Sequence, residues 1–267
     1  MKKYFLLLIL IIAFFLRIFH IDTNPPSLSW DEASLGYNAY TILTSGRDEF
    51  GEYYPIGRFI AFGDYKPPGY IYAAVPSVAV LGLNEFSVRF PSLIAGVFMV
   101  LGTYLLVKEL FKNEIIGLLA SLFLAISPWA LHFSRAAYEA NLGASFNLLG
   151  IYLFLVARRK KWILLFSIFF FILSFYTFNA NRIIAPLLVL ALSVYYFKDL
   201  LQNIKWGIIS LVVGLLLLSP SITYLASRES KLRFAEVSIF NNLAPIQTAN
   251  QRIERDGNSF MARLIHN

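Results

Sequence analysis

Long apolar runs alternate with short polar breaks along most of the chain, at about 4–16, 68–83, 91–107, 115–131, 140–157, 162–178, 183–197 and 206–225. A helix needs ~20 residues, rising ~1.5 Å each, to cross ~30 Å of hydrocarbon. Most of the runs reach or approach that length, which predicts an all-α, polytopic transmembrane helical bundle. Met1-Lys2-Lys3 ahead of the first run looks like the start of a secretory leader. No small-x-small cleavage site follows, and the run ends in Arg17-Ile18-Phe19-His20-Ile21-Asp22. That reads as an uncleaved signal anchor with its amino end inside.

The basic residues then decide which runs cross. Cytoplasmic loops collect Lys and Arg. The cluster Arg158-Arg159-Lys160-Lys161 belongs inside, on the same side as the amino terminus. Five runs lie between them, and an odd number would place the cluster outside. The run 68–83 is short and carries Gly69, Pro76 and Gly82, so it is the one to demote, to an interfacial helix packed on the bundle. About seven spans remain. Lys2, Lys3, Lys108, Lys112, residues 158–161, Lys198 and Lys205 then fall inside. Three regions meet outside: the loop 20–90, the turn 132–139 and the tail from 226. Residues 1–225 form one transmembrane module. Residues 226–267 are charged, contain no span, and read as an extracytoplasmic loop of a piece cut short before further spans.

Composition supports a membrane protein. The chain is 58% hydrophobic and 15% charged, against ~45–50% and ~25% for a soluble domain. Disorder is excluded by the same numbers. With no cysteine, thiol catalysis, disulfides and Cys-bound zinc are excluded. The net charge of +7 sits largely in short runs beside apolar segments, so it marks membrane topology and not a nucleic-acid partner.

The first outer loop runs against that basic excess. Residues 20–66 hold seven acids (Asp22, Asp31, Glu32, Asp48, Glu49, Glu52, Asp64) against three cations (Arg47, Arg58, Lys66). In Ser29-Trp30-Asp31-Glu32, Ser29 can cap a helix whose first turn holds the acids. Those acids read either as helix-start decoration or as a general base at the membrane surface, with Trp30 as interfacial anchor. In Asp64-Tyr65-Lys66-Pro67-Pro68, the proline after Lys66 biases it to extended backbone. Lys66 reads as a snorkelling junction lysine or as a cation for phosphate. Arg89, at the outer edge of the span that starts near Asn84-Glu85, can snorkel. Arg135 and Glu139 stand at i, i+4, flank Tyr138, and are expected to pair on one helix face. Asn179, Asn181 and Arg182 form the third outer turn. All these charges fall on one side, which suits a substrate with an anionic head and an apolar tail.

Taken in order, Trp30-Asp31-Glu32 after the first span, Lys66-Pro67-Pro68, Asn84-Glu85 to Arg89-Phe90-Pro91-Ser92, and Ser134-Arg135 to Glu139 resemble the GT-C glycosyltransferases. The likeness is to the group of protein O-mannosyltransferases and the aminoarabinose transferase of lipid A. It covers residues 1 to about 225.

The resemblance implies an inverting enzyme that takes a sugar from a polyprenyl-phosphate carrier. The acceptor hydroxyl, on a protein, lipid or glycan, lies outside the cytoplasm, most simply at a bacterial inner membrane. It implies Asp31 as base with Glu32 beside it, and Lys66 on the carrier phosphate. Arg135 supports the acidic pair or the phosphate. Tyr65, Arg89, Tyr138, Glu139 and Arg182 complete the candidate substrate site. The aminoarabinose transferase has a metal-linked glutamate where Tyr65 stands, so a divalent metal is left open. The rival readings are a transporter or lipid flippase, which would want ionisable groups deep within several spans, and an inactive lipid-binding remnant.

Overall fold

The computed structural model describes residues 2–202, 204–230 and 244–257. Apart from one small hairpin, its regular structure is helical: α1 (Lys2–Ile18), α2 (Trp30–Ser45), β1 (Phe59–Ala61), β2 (Asp64–Lys66), α3 (Gly69–Leu81), α4 (Glu85–Phe111), α5 (Glu114–Ile126), α6 (Pro128–Arg135), α7 (Glu139–Ala157), α8 (Leu164–Thr177), α9 (Asn181–Tyr195), α10 (Phe197–Leu201), α11 (Ile204–Leu218), α12 (Ile222–Ala226) and α13 (Ala244–Arg255). Two compact units divide after Ile222. Much of the expected outer loop 226–267 lies outside the described residues.

Among the described residues three helices are long and apolar enough alone to cross a bilayer: α4, α7 and the stretch Ile204–Ala226. The pair α5 and α6 makes a fourth candidate, but it is bent by 58°. The run 115–131, read as one span, is therefore broken. Ser127 is extended and caps Ala130 N–H, and Pro128 starts the new helix. Proline at a helix start is preorganised, and the residue before it avoids helical backbone. The runs 4–16, 162–178 and 183–197 form shorter helices. The run 68–83 forms α3, with 13 residues, or roughly 20 Å, too short to cross alone.

Small residues let these helices approach closely, the usual device where lipid supplies no hydrophobic drive. A Cβ on Gly96 would stand 2.3 Å from Ser134 Oγ and 2.7 Å from Arg17 Nε, so only glycine fits where α1, α4 and α6 meet. Hydrogen bonds cross between helices as well: Ser167 Oγ donates to Gly150 O at 2.8 Å, Ser174 Oγ to Gly143 O at 2.9 Å, and Asn141 Nδ2 to Ser92 O at 2.8 Å.

Ion pairs and loop contacts sort the turns into two groups. At one end Lys2 and Lys108 meet Glu114, Lys112 and Arg159 share Glu109, and Arg158 pairs with Asp199. At the other end residues 16–32, the hairpin, the start of α4, the α6–α7 junction and the α8–α9 turn converge. Beneath this second group lies an apolar core that includes Leu35, Phe59, Tyr70, Val88, Ala137 and Leu142. It seats the long first loop on the bundle.

Candidate active site

The start of α2 is fixed from the sequence upward. Ser29 and Glu32 form a reciprocal capping box: Glu32 N–H donates to Ser29 Oγ at 3.3 Å, and Ser29 N–H to Glu32 Oε2 at 3.0 Å. Buried Glu32 then meets wholly buried Arg89 of α4, with Nε donating to Oε1 at 2.9 Å and Nη2 to Oε2 at 3.3 Å. The remaining Arg89 donors reach the carbonyls of Ile21 (2.7 Å), Pro25 (2.9 Å) and Ser27 (2.6 Å). Ala137 N–H adds a fourth donor to Glu32, 2.9 Å from Oε1. Burial pushes the Glu32 carboxyl up, but the bonds from Arg89, Ser29 and Ala137 outweigh it and hold it below the usual carboxylate range.

Arg89 does not snorkel: its guanidinium is buried, with all five N–H groups engaged by protein groups. Glu32 is likewise sealed.

Beside it is Asp31. Lys66 Nζ lies 2.9 Å from Asp31 Oδ1 and 3.8 Å from Glu139 Oε2. The Lys66 side chain is only 7% exposed, whereas that of Asp31 is 56% exposed. A buried ammonium flanked by carboxylates is charge-compensated, and the Asp31 carboxylate is open to its surroundings. Lys66 ends β2, extended as the following proline requires. Its hairpin is held from the α8–α9 turn: Asn179 Nδ2 donates to Tyr65 O at 2.9 Å, and Arg182 Nη2 to Gly57 O at 2.8 Å.

The other candidates are distributed around this cluster. Arg135 does not pair with Glu139. Its Nη1 donates to Leu16 O at 2.8 Å and its Nη2 to His20 O and Asn24 O at 3.2 and 2.9 Å, stapling the end of α1. The i, i+4 expectation fails because α6 ends at Arg135, Ala136 is extended, and α7 starts at Glu139. Tyr138 packs its ring 5.0 Å from that of Phe133. The Tyr65 ring lies 6.0 Å from the Arg58 guanidinium. Among the described residues no three His, Cys, Asp or Glu gather in a metal-binding group. Lys66 already sits between Asp31 and Glu139, and a phenol stands at position 65, so these residues do not fit the metal-linked arrangement of the aminoarabinose transferase.

The sequence reading missed Arg17. It is buried at the end of α1 and donates through Nη1 to Ala13 O and Ala125 O, at 3.0 and 3.2 Å. The sequence places Asn179 in the third outer turn; its contact with Tyr65 is set by tertiary packing.

Residues 65–224 match the family described as dolichyl-phosphate-mannose-protein mannosyltransferase. The match includes Lys66, Arg89, Arg135, Glu139 and Arg182 and begins after Asp31. Over 217 residues the chain is 30% identical to "Putative mannosyltransferase YkcB" of Bacillus subtilis (strain 168), covering 80% of this chain and 29% of that protein. The chain thus spans under a third of the length of that relative. No solved structure matches the chain significantly.

Proposed function

The chain belongs to the dolichyl-phosphate-mannose-protein mannosyltransferase family, and on that premise we propose that it serves sugar transfer from a polyprenyl-phosphate carrier to an acceptor hydroxyl. The observation that carries the reading is the contact of exposed Asp31 with buried Lys66, 2.9 Å apart. One group can take a proton and the other can hold a phosphate.

The carrier phosphate takes the place of a carboxylate oxygen on Lys66 Nζ. Asp31 is thereby released toward the acceptor hydroxyl. The hydroxyl oxygen attacks the anomeric carbon, its proton passes to Asp31, and the carbon–oxygen bond to phosphate breaks with its electron pair on the phosphate. A phosphate is already a good leaving group, so it needs a cation and not a second carboxylic acid, unlike a glycoside. Attack opposite the leaving group inverts the centre. Glu32 and Arg89 hold Asp31 in place. Arg135 fixes the loop behind it, and Arg182 and Asn179 fix the hairpin.

The charge pattern supports about seven crossings, with the amino end cytoplasmic and this cluster extracytoplasmic. Impermeant labelling of single cysteines placed at 31 and 66 tests it. Labelling of the two from opposite sides overturns it.

The enzymatic test supplies the full chain in membranes with radiolabelled polyprenyl-phosphate sugars and follows label into protein, lipid or glycan. Transfer is expected, with Asp31→Asn lowering it ~10²–10⁴-fold at unchanged thermal stability. Undiminished transfer by Asp31→Asn refutes the base. No transfer from any lipid-linked sugar refutes the reaction class.

A further inference from the structure

The two elements that carry Asp31 and Lys66 touch at a second place. Trp30, at the start of α2, and Phe62, at the tip of the β1–β2 hairpin, have ring centroids 6.2 Å apart at an interplanar angle of 31°. Packing does not account for the pair, since Trp30 remains 73% exposed and Phe62 71% exposed. Nor does the turn call for phenylalanine. Phe62 and Gly63 both have positive φ, 50° and 80°, the left-handed two-residue hairpin that favours Asn-Gly. A bulky residue there is strained, and strain kept at an exposed position points to a ligand.

The position says which ligand. In the displacement above, the anomeric carbon lies between Asp31 and a phosphate on Lys66. The anomeric carbon is itself an atom of the transferred ring, so the rest of that ring extends within reach of the residues next to this pair. Trp30 adjoins Asp31 in the chain, and Phe62 sits on the hairpin that ends in Lys66. A pyranose has a face of C–H groups and a rim of hydroxyls. An indole and a phenyl ring cover such a face and leave the hydroxyls to water, with few polar groups needed for orientation.

We propose that Trp30 and Phe62 form a stacking subsite for the sugar ring of the lipid-linked donor. This rests on the donor reading above, and the test separates the two. The full chain in lipid nanodiscs is titrated with tritiated undecaprenyl phosphate and with tritiated undecaprenyl-phosphate mannose. Trp30→Ala and Phe62→Ala are each expected to bind the mannosyl lipid about fivefold to tenfold more weakly and to leave the bare phosphate lipid unchanged. Trp30→Phe, which keeps a ring, is expected to retain most of the binding. Lys66→Ala is expected to weaken both lipids. If Trp30→Ala weakens both lipids equally, the pair is an interfacial anchor and the subsite is refuted. If it weakens neither and instead raises the acceptor KM, the subsite is likewise refuted. If Lys66→Ala changes neither lipid, the donor reading itself falls.

Discussion

Glu32 and Arg89 stand 57 positions apart and complete each other: the carboxylate accepts four hydrogen bonds, two of them from Arg89, and the guanidinium engages all five of its N–H groups. One ion pair thereby joins the loop after α1, the start of α2, the start of α4 and the α6–α7 junction. Asp31, the residue just before Glu32 in the chain, is held next to that joint.

Removing one partner should therefore unfold more than a side-chain contact. Arg89→Ala leaves a buried carboxylate without its counter-charge, which costs about 3–5 kcal/mol, and leaves three carbonyls without a donor. Arg89→Lys should recover little, because an ammonium has three donors and no planar fork. Thermal unfolding in detergent micelles should show a large drop in Tm for both. A wild-type Tm in Arg89→Ala would mean the pair contributes nothing to the fold.

The same pair predicts a pH dependence. The Glu32 carboxyl is depressed in the folded state and rises to about 4.3 on unfolding. Its stabilisation is thus present above the unfolded value and lost as pH falls through the lower folded value. Glu32→Gln lacks this contribution. The stability gap between wild type and Glu32→Gln should be widest near pH 6 and shrink toward about pH 3. A gap that stays constant across that range would show that Glu32 is not held as the anion.

Lys66 faces two carboxylates, Asp31 and Glu139, so an anionic ligand must compete for it. Glu139→Gln removes one competitor and keeps the side chain's shape. The apparent affinity for a polyprenyl phosphate should rise by about threefold to tenfold, in line with a partly buried charge at this distance. Lys66→Ala should move the donor KM the other way. Glu139→Gln that weakens donor binding would mean Glu139 contacts the donor directly.

Which parts of this were legible in the sequence follows the range of the interactions. Local rules carried far: Ser29 caps α2, Lys66 before Pro67 is extended, and the interruption at Pro76 and Gly82 accompanies a helix too short to cross. What the sequence hid depends on distant partners. The break at Ser127-Pro128 turned one apolar run into two helices, and a second break, at extended Ala136 between α6 and α7, sent Arg135 and Glu139 to different neighbours. Arg89 looked like an edge residue because its acceptors, Ile21, Pro25 and Ser27, lie in a loop more than 60 positions earlier. Periodicity carries no record of such pairings.

Phe62 offers a test in which stability and binding should part. Its left-handed backbone, φ 50°, strains an ordinary side chain by roughly 1–2 kcal/mol, and its ring buries little that would offset this. Asn tolerates that conformation and suits the turn. Phe62→Asn should leave Tm unchanged or raise it, by up to about 1 kcal/mol of added stability. The same substitution deletes a ring beside the Asp31–Lys66 pair, so binding of the sugar-bearing lipid should weaken while that of the bare phosphate lipid holds. A strained residue kept only for packing would give the opposite pattern: Tm would fall and both lipids would bind as before. The two measurements together thus decide whether the hairpin tip serves the fold or the ligand.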